Sequence, residues 1–132
     1  LIGQMESGIV GMMQQGNTGE TLTEEQKVEV TSLIGQMEMN KAMCYVKLGM
    51  WEKGVVSCTK ALEAGADRAK CLYRRGTCLL QSGALDKAKA DLEQAAALMP
   101  GDANIARELK GLAAKEKNAE EKAKKTYQKM FG

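Results

Sequence analysis

The chain has no histidine, one proline and few aromatic residues, 4% in all. Without histidine, or any other convincing pairing of a nucleophile with a base, it lacks the usual equipment for catalysis. No glycine-rich phosphate loop is present and no cofactor is implied. Valine and the aromatics are too sparse and scattered to build a sheet. No apolar run approaches the roughly 20 residues that span a bilayer. The apolar start, residues 1–13, has no basic leader and is broken by Gln, Glu and Ser, unlike a signal peptide. A net charge of +2 is too small to argue for nucleic acid. The four cysteines, Cys44, Cys58, Cys71 and Cys78, form no Cys-x-x-Cys pair, the usual mark of a zinc or thiol-redox site. They are expected to be small buried thiols at helix contacts, in a reducing cytoplasm with the nucleus as a second compartment. A metal or disulfide role is the alternative.

What is there is helix-forming material in a repeating pattern. Ala, Leu, Met, Lys, Glu and Gln dominate, and 132 residues suit one domain. Set at an offset of 34 residues, 35–68 aligns with 69–102: Cys44 falls on Cys78, Gly49 on Gly83, Lys53 on Lys87 and Ala61 on Ala95. Ala42 meets Gly76, Glu52 meets Asp86 and Gly54 meets Ala88. This period resembles that of the tetratricopeptide repeat, a helix–turn–helix unit that buries its apolar face only by stacking on neighbours. The resemblance implies an all-α superhelix of antiparallel helix pairs. One domain is expected over 1–132: 1–34 as the remainder of a first repeat and the start of the next helix, 35–68 and 69–102 as the second and third repeats, and 103–131 as a long C-terminal helix. The abrupt apolar start without an initiator Met suggests a piece of a larger protein.

Helix signals divide the chain consistently with that period. Residues 1–15 have helical apolar spacing, and Gly16-Asn17-Thr18-Gly19 breaks it. Thr23 with Gln26 three residues on reads as a capping box. It opens a helix to about Leu48, with Val30, Leu33, Ile34, Met37 and Cys44 among its apolar positions and Gly49 as its end. A second helix, from about Trp51 to Ala64, turns Val55, Cys58 and Leu62 one way. Asp67 caps a third to about Gln81, and Leu85 to Leu98 forms a fourth. After Pro100-Gly101-Asp102 one helix runs to about Met130. Its first half offers Ile105, Leu109 and Leu112 for docking, and its second half is dense in charge. Glu120–Lys124 and Glu121–Lys125 have the spacing of surface pairs. The small residues Ala42, Gly54, Ala61, Gly76, Ala88 and Ala95 are expected to let the helices approach closely.

Lys70 and Arg74 lie four residues apart on one helix face. Arg74 corresponds to Asn40 by the offset, so stacked repeats would bring Asn40, Lys70 and Arg74 to one concave wall. Lysine brings three donors, arginine a planar fork, and asparagine a donor and an acceptor. The set suits carboxylates, which arginine grips through two parallel bonds. Spacing alone equally permits solvated helix charges. Arg75 and Lys41 point elsewhere on their helices and read as exposed or packing residues.

The runs Asn40-Lys41-Ala42-Met43-Cys44-Tyr45-Val46-Lys47-Leu48 and Lys70-Cys71-Leu72-Tyr73-Arg74-Arg75-Gly76 resemble the second and third repeats of the large FKBP-type immunophilins. These are peptidyl-prolyl isomerases with a C-terminal tetratricopeptide domain. The ending Tyr127-Gln128-Lys129-Met130-Phe131 is similar to the close of that family's last helix, and residues 16–25 would match its insertion before the second repeat. The resemblance implies a carboxylate clamp for the acidic Glu-Glu-Val-Asp tail of heat shock protein 90, in some members heat shock protein 70. Asn40, Lys70 and Arg74 match clamp positions, while the family's remaining Lys and Asn belong to a helix preceding this chain. Isomerase activity would reside in a separate domain, not in this fragment. The resemblance also implies a calmodulin site near the C-terminus, for which Lys122, Lys124, Lys125, Tyr127, Met130 and Phe131 are the candidates. A solvated extension or a homodimer contact is the competing reading of that helix.

Overall fold

Thr23 opens the first described helix by closing a capping box. Its hydroxyl accepts from the Gln26 N–H at 3.1 Å, and the Gln26 side-chain oxygen accepts from the Thr23 N–H at 2.9 Å. The structure, a computed structural model, describes residues 21–132. The expected helix over 1–15 and the break after it lie outside the described residues. Five helices follow: α1 Glu24–Leu48, α2 Trp51–Glu63, α3 Arg68–Ser82, α4 Leu85–Leu98 and α5 Ala103–Phe131. Among the described residues none is long and apolar enough to cross a membrane.

Two kinds of turn alternate. Gly49 and Gly83 end α1 and α3 in the left-handed conformation, at φ 71° and 91°, where a Cβ is penalised. Each allows a two-residue reversal into the next helix. The longer turns after α2 and α4 end on Asp67 and Asp102, which cap α3 and α5 through their carboxylates. Successive helices therefore pack in pairs, α1 on α2 and α3 on α4, with α2 against α3 and α5 against α4. This is the all-α repeat stack that the period implied, followed by the long final helix expected after Asp102.

The core is built from small residues and leucines. Ala42, Cys58, Ala61, Cys71, Cys78, Ala88, Leu92 and Ala95 are fully buried. A Cβ on Gly76 would lie 2.8 Å from Leu92 Cγ, and one on Gly54 would lie 2.7 Å from Cys78 Sγ. The pairs α3–α4 and α2–α3 thus meet at nearly backbone distance. Ile105 and Leu112 dock the first half of α5, and Lys115 Nζ donates to the Leu80 carbonyl at 3.3 Å. From residue 117 onward every side chain of α5 is exposed.

Two expectations are corrected, that for Cys44 and that for the Glu–Lys pairs of α5. Cys44 is exposed although its counterpart Cys78 is buried. Leu33 and Met37 are exposed as well. All three lie on a flank of α1 that no other described helix covers, whereas Cys78 has α2 against it. Finally, Glu120–Lys124 and Glu121–Lys125 do not form ion pairs among the described residues. On a fully solvated helix such pairs gain little beyond the entropy of holding two long side chains.

Candidate functional site

Asp67 fixes the site by fixing where α3 begins. Its carboxylate accepts from the Lys70 N–H at 3.2 Å, so Lys70 stands in the first turn and Arg74 one turn further on the same face. Two contacts register α1 against this end of α3: a Cβ on Gly35 would lie 3.4 Å from Ala66 Cβ, and Cys71 Sγ lies 3.2 Å from Met39 Sδ. The next residue of α1 is Asn40. Asn40, Lys70 and Arg74 consequently line one open groove of about 870 Å³, floored by the small residues of the 64–67 turn.

Neither Lys70 nor Arg74 has a side-chain ion pair among the described residues. Lys70 is exposed and Arg74 half-buried. Two cations on one wall, beside an amide and without carboxylate partners, favour an anionic guest. Arg75 has a different role from its neighbour. Its Nε donates to Asp91 Oδ2 at 2.6 Å and its Nη2 to Asp91 Oδ1 at 2.8 Å, while Nη1 reaches Thr59 Oγ1 at 3.3 Å. The bond to Asp91 raises the Arg75 pKa further. Lys41 likewise turns inward, pairing with the buried Glu38 at 2.9 Å. Both are packing residues rather than groove residues.

Further groove residues escaped the sequence reading. Gln36 and Met43 extend the Asn40 face at i, i+4 and i+7 spacing, and Met39 stands beside them. That spacing was a readable signal. Lys27 also lines the groove, but the 34-residue offset could not flag it, because its formal counterpart Ala61 belongs to α2.

Burial pushes the Cys58 thiol up to about 12, with Cys78 and Cys71 nearby adding to it. Cys71 and Cys78 are also raised, chiefly by burial. Among the described residues no group of three potential ligands is assembled.

Of the C-terminal candidates, Lys122, Tyr127 and Met130 line a shallow depression on α5, and the Phe131 ring lies tilted against that of Tyr127 with centroids 4.7 Å apart. Lys124 and Lys125 are exposed but outside that depression.

The tetratricopeptide-repeat family model matches residues 69–102, the helix pair α3–α4 that carries Lys70 and Arg74. The second tetratricopeptide domain of human RPAP3, solved in complex with a heat shock protein 70 peptide, superposes with a TM-score of 0.57 and 26% identity, over 82% of this chain and 91% of that one. This chain is a tetratricopeptide-repeat domain. Peptidyl-prolyl cis-trans isomerase FKBP42 of Arabidopsis thaliana is 33% identical over 70% of the chain. FKBP4 of Mus musculus is 32% identical over 82% of the chain, and FKBP4 of Bos taurus 30% over 84%. The repeat domain is thus similar to a segment of FKBP-type immunophilins, and it spans about a quarter of their length, 26%, 23% and 24% respectively.

Proposed function

We propose that this domain is the peptide-binding module of an FKBP-type co-chaperone and captures the acidic C-terminal tail of a heat shock protein. The observation that carries the reading is the meeting of Asn40, Lys70 and Arg74 in one groove, with both cations lacking a carboxylate partner among the described residues. Lys70 and Arg74 hold carboxylates of the tail, and Asn40 orients its terminal residue. The neighbouring RPAP3 domain was solved with a peptide ending Glu-Glu-Val-Asp, which supports a guest of that chemistry. Between the two chaperones, heat shock protein 90 is the partner we favour, from the resemblance of the 40–48 and 70–76 runs to the immunophilin repeats. The parent protein carries its isomerase activity outside this chain, and the buried, unbridged thiols suit a reducing compartment such as the cytoplasm or nucleus.

Titration with an Asp-ending acidic pentapeptide tests the module. Lys70→Ala and Arg74→Ala should each weaken binding by about ten- to a hundredfold, the worth of a charge-assisted hydrogen bond. Unchanged affinity in both variants rejects the clamp. Comparing peptides with the two chaperones' endings decides the preference.

A second reading concerns α5. Tyr127, Met130 and Phe131 are 65%, 71% and 71% exposed, an apolar tip beside Lys122 that suits self-association or calmodulin. Mass in solution, with and without calcium-loaded calmodulin, tests both partners.

A further inference from the structure

Helix α1 is far longer than its counterpart in the next repeat, 25 residues against 15. By the 34-residue offset, Arg68 at the start of α3 corresponds to Ile34, so residues 24–33 have no equivalent there. The contact between Gly35 and Ala66 marks where α1 leaves the repeat stack. Lys27 stands eight residues before that contact, about 12 Å further along the helix at 1.5 Å per residue. It nevertheless lines the same groove as Lys70 and Arg74, together with Val28, Thr31 and Ser32. The overhang of α1 therefore walls an extension of the groove and places a third cation at its far end. Asp67 also lines the groove, and its carboxylate is engaged with the Lys70 N–H. Among the described residues Lys27 pairs only with the exposed Glu24, at 3.3 Å, and such exposed pairs are weak enough for a guest to displace.

We propose that Lys27 is a specificity residue that reads an acidic side chain upstream of the bound tail's C-terminal residue. Resting on the carboxylate-clamp reading above, the proposal adds a preference the three clamp residues do not supply. Lys27 and Asn40 are 13 residues apart on one helix, about 20 Å. An extended guest covers about 3.3 Å per residue, so the side chain read by Lys27 belongs about six residues before the end. The domain thereby selects tails with an acidic group at that point over tails that share only the last four residues.

The test uses this chain and two nine-residue peptides ending in Glu-Glu-Val-Asp, differing only in Glu or Gln at the sixth residue before the terminal Asp. Fluorescence anisotropy at low ionic strength should find the Glu peptide bound about threefold tighter, as expected for one exposed ion pair. High salt should erase that advantage. The preference should vanish in Lys27→Gln and reverse in Lys27→Glu, while Lys70→Ala weakens both peptides alike. Equal binding of the two peptides by the unaltered chain overturns the role of Lys27 but leaves the clamp standing if Lys70→Ala still weakens both. A preference that survives Lys27→Gln overturns it equally. Indifference of both peptides to Lys70→Ala and Arg74→Ala brings down the clamp and this proposal together.

Discussion

At Gly76 the packing leaves no room for a side chain, because Leu92, fully buried, occupies the space a Cβ would need. Gly76→Ala should lower stability by about 1–3 kcal/mol, the usual range for overpacking a tight contact. Gly111 is the contrast, since a Cβ there meets nothing within 4 Å. Gly111→Ala should stabilise by up to about 1 kcal/mol through helix propensity, and urea denaturation of the two variants compares them directly. The thiols make a second test at this scale. Cys44 should react promptly with an alkylating reagent while Cys58, Cys71 and Cys78 wait for unfolding, which a mass-resolved time course reads. The folded chain keeps Cys58 protonated up to about pH 12, whereas the unfolded chain releases that proton near its ordinary 9.0. Between those values the native state binds more protons, so this group's contribution to stability is intact below pH 9 and declines as pH rises through the window. A Cys58→Ala variant should show a shallower fall across the same interval.

Among the helices, one side chain ties three together: Arg75 of α3 grips Asp91 of α4 and touches Thr59 of α2. Asp91 is nearly buried, its side chain 7% exposed. Removing only the arginine leaves that carboxylate unpaired, so Arg75→Met should destabilise by about 3 kcal/mol. The double variant Arg75→Met with Asp91→Leu should recover part of the loss, and a thermodynamic cycle from chemical denaturation measures the coupling. The tie is not a property of the repeat. The corresponding positions in the preceding helix pair are Lys41 and Ser57, and Lys41 pairs with Glu38 instead.

For the molecule as a whole, the stack is held by α1 to α4 and the first half of α5. No side chain beyond residue 116 is buried, so deleting 117–132 should leave the melting temperature unchanged within the effect of ordinary surface substitutions. If that segment mediates self-association, the same deletion should lower the mass measured in solution. Peptide binding through the groove should survive it, because every described groove residue lies between Lys27 and Arg74.

The sequence by itself determined the helices and their order. Capping residues, glycines at reversals and the 34-residue period are local signals, and each states where a helix starts, stops or recurs. It also determined that Asn40, Lys70 and Arg74 share a wall, since equivalent points of adjacent repeats face the same way. Burial followed less simply. Cys44 and Cys78 are equivalent by register, yet only Cys78 is covered, because burial depends on which helix comes next to a face and not on the face alone. The tertiary structure alone decided that Arg75 serves as an internal tie while Arg74 beside it faces the groove, for a partner 16 residues away leaves no periodic trace. It alone brought Lys27 to the groove. The residue lies on an extension of α1 that breaks the repeat, and only the docking of α1 against the turn before α3 carries that extension past the site.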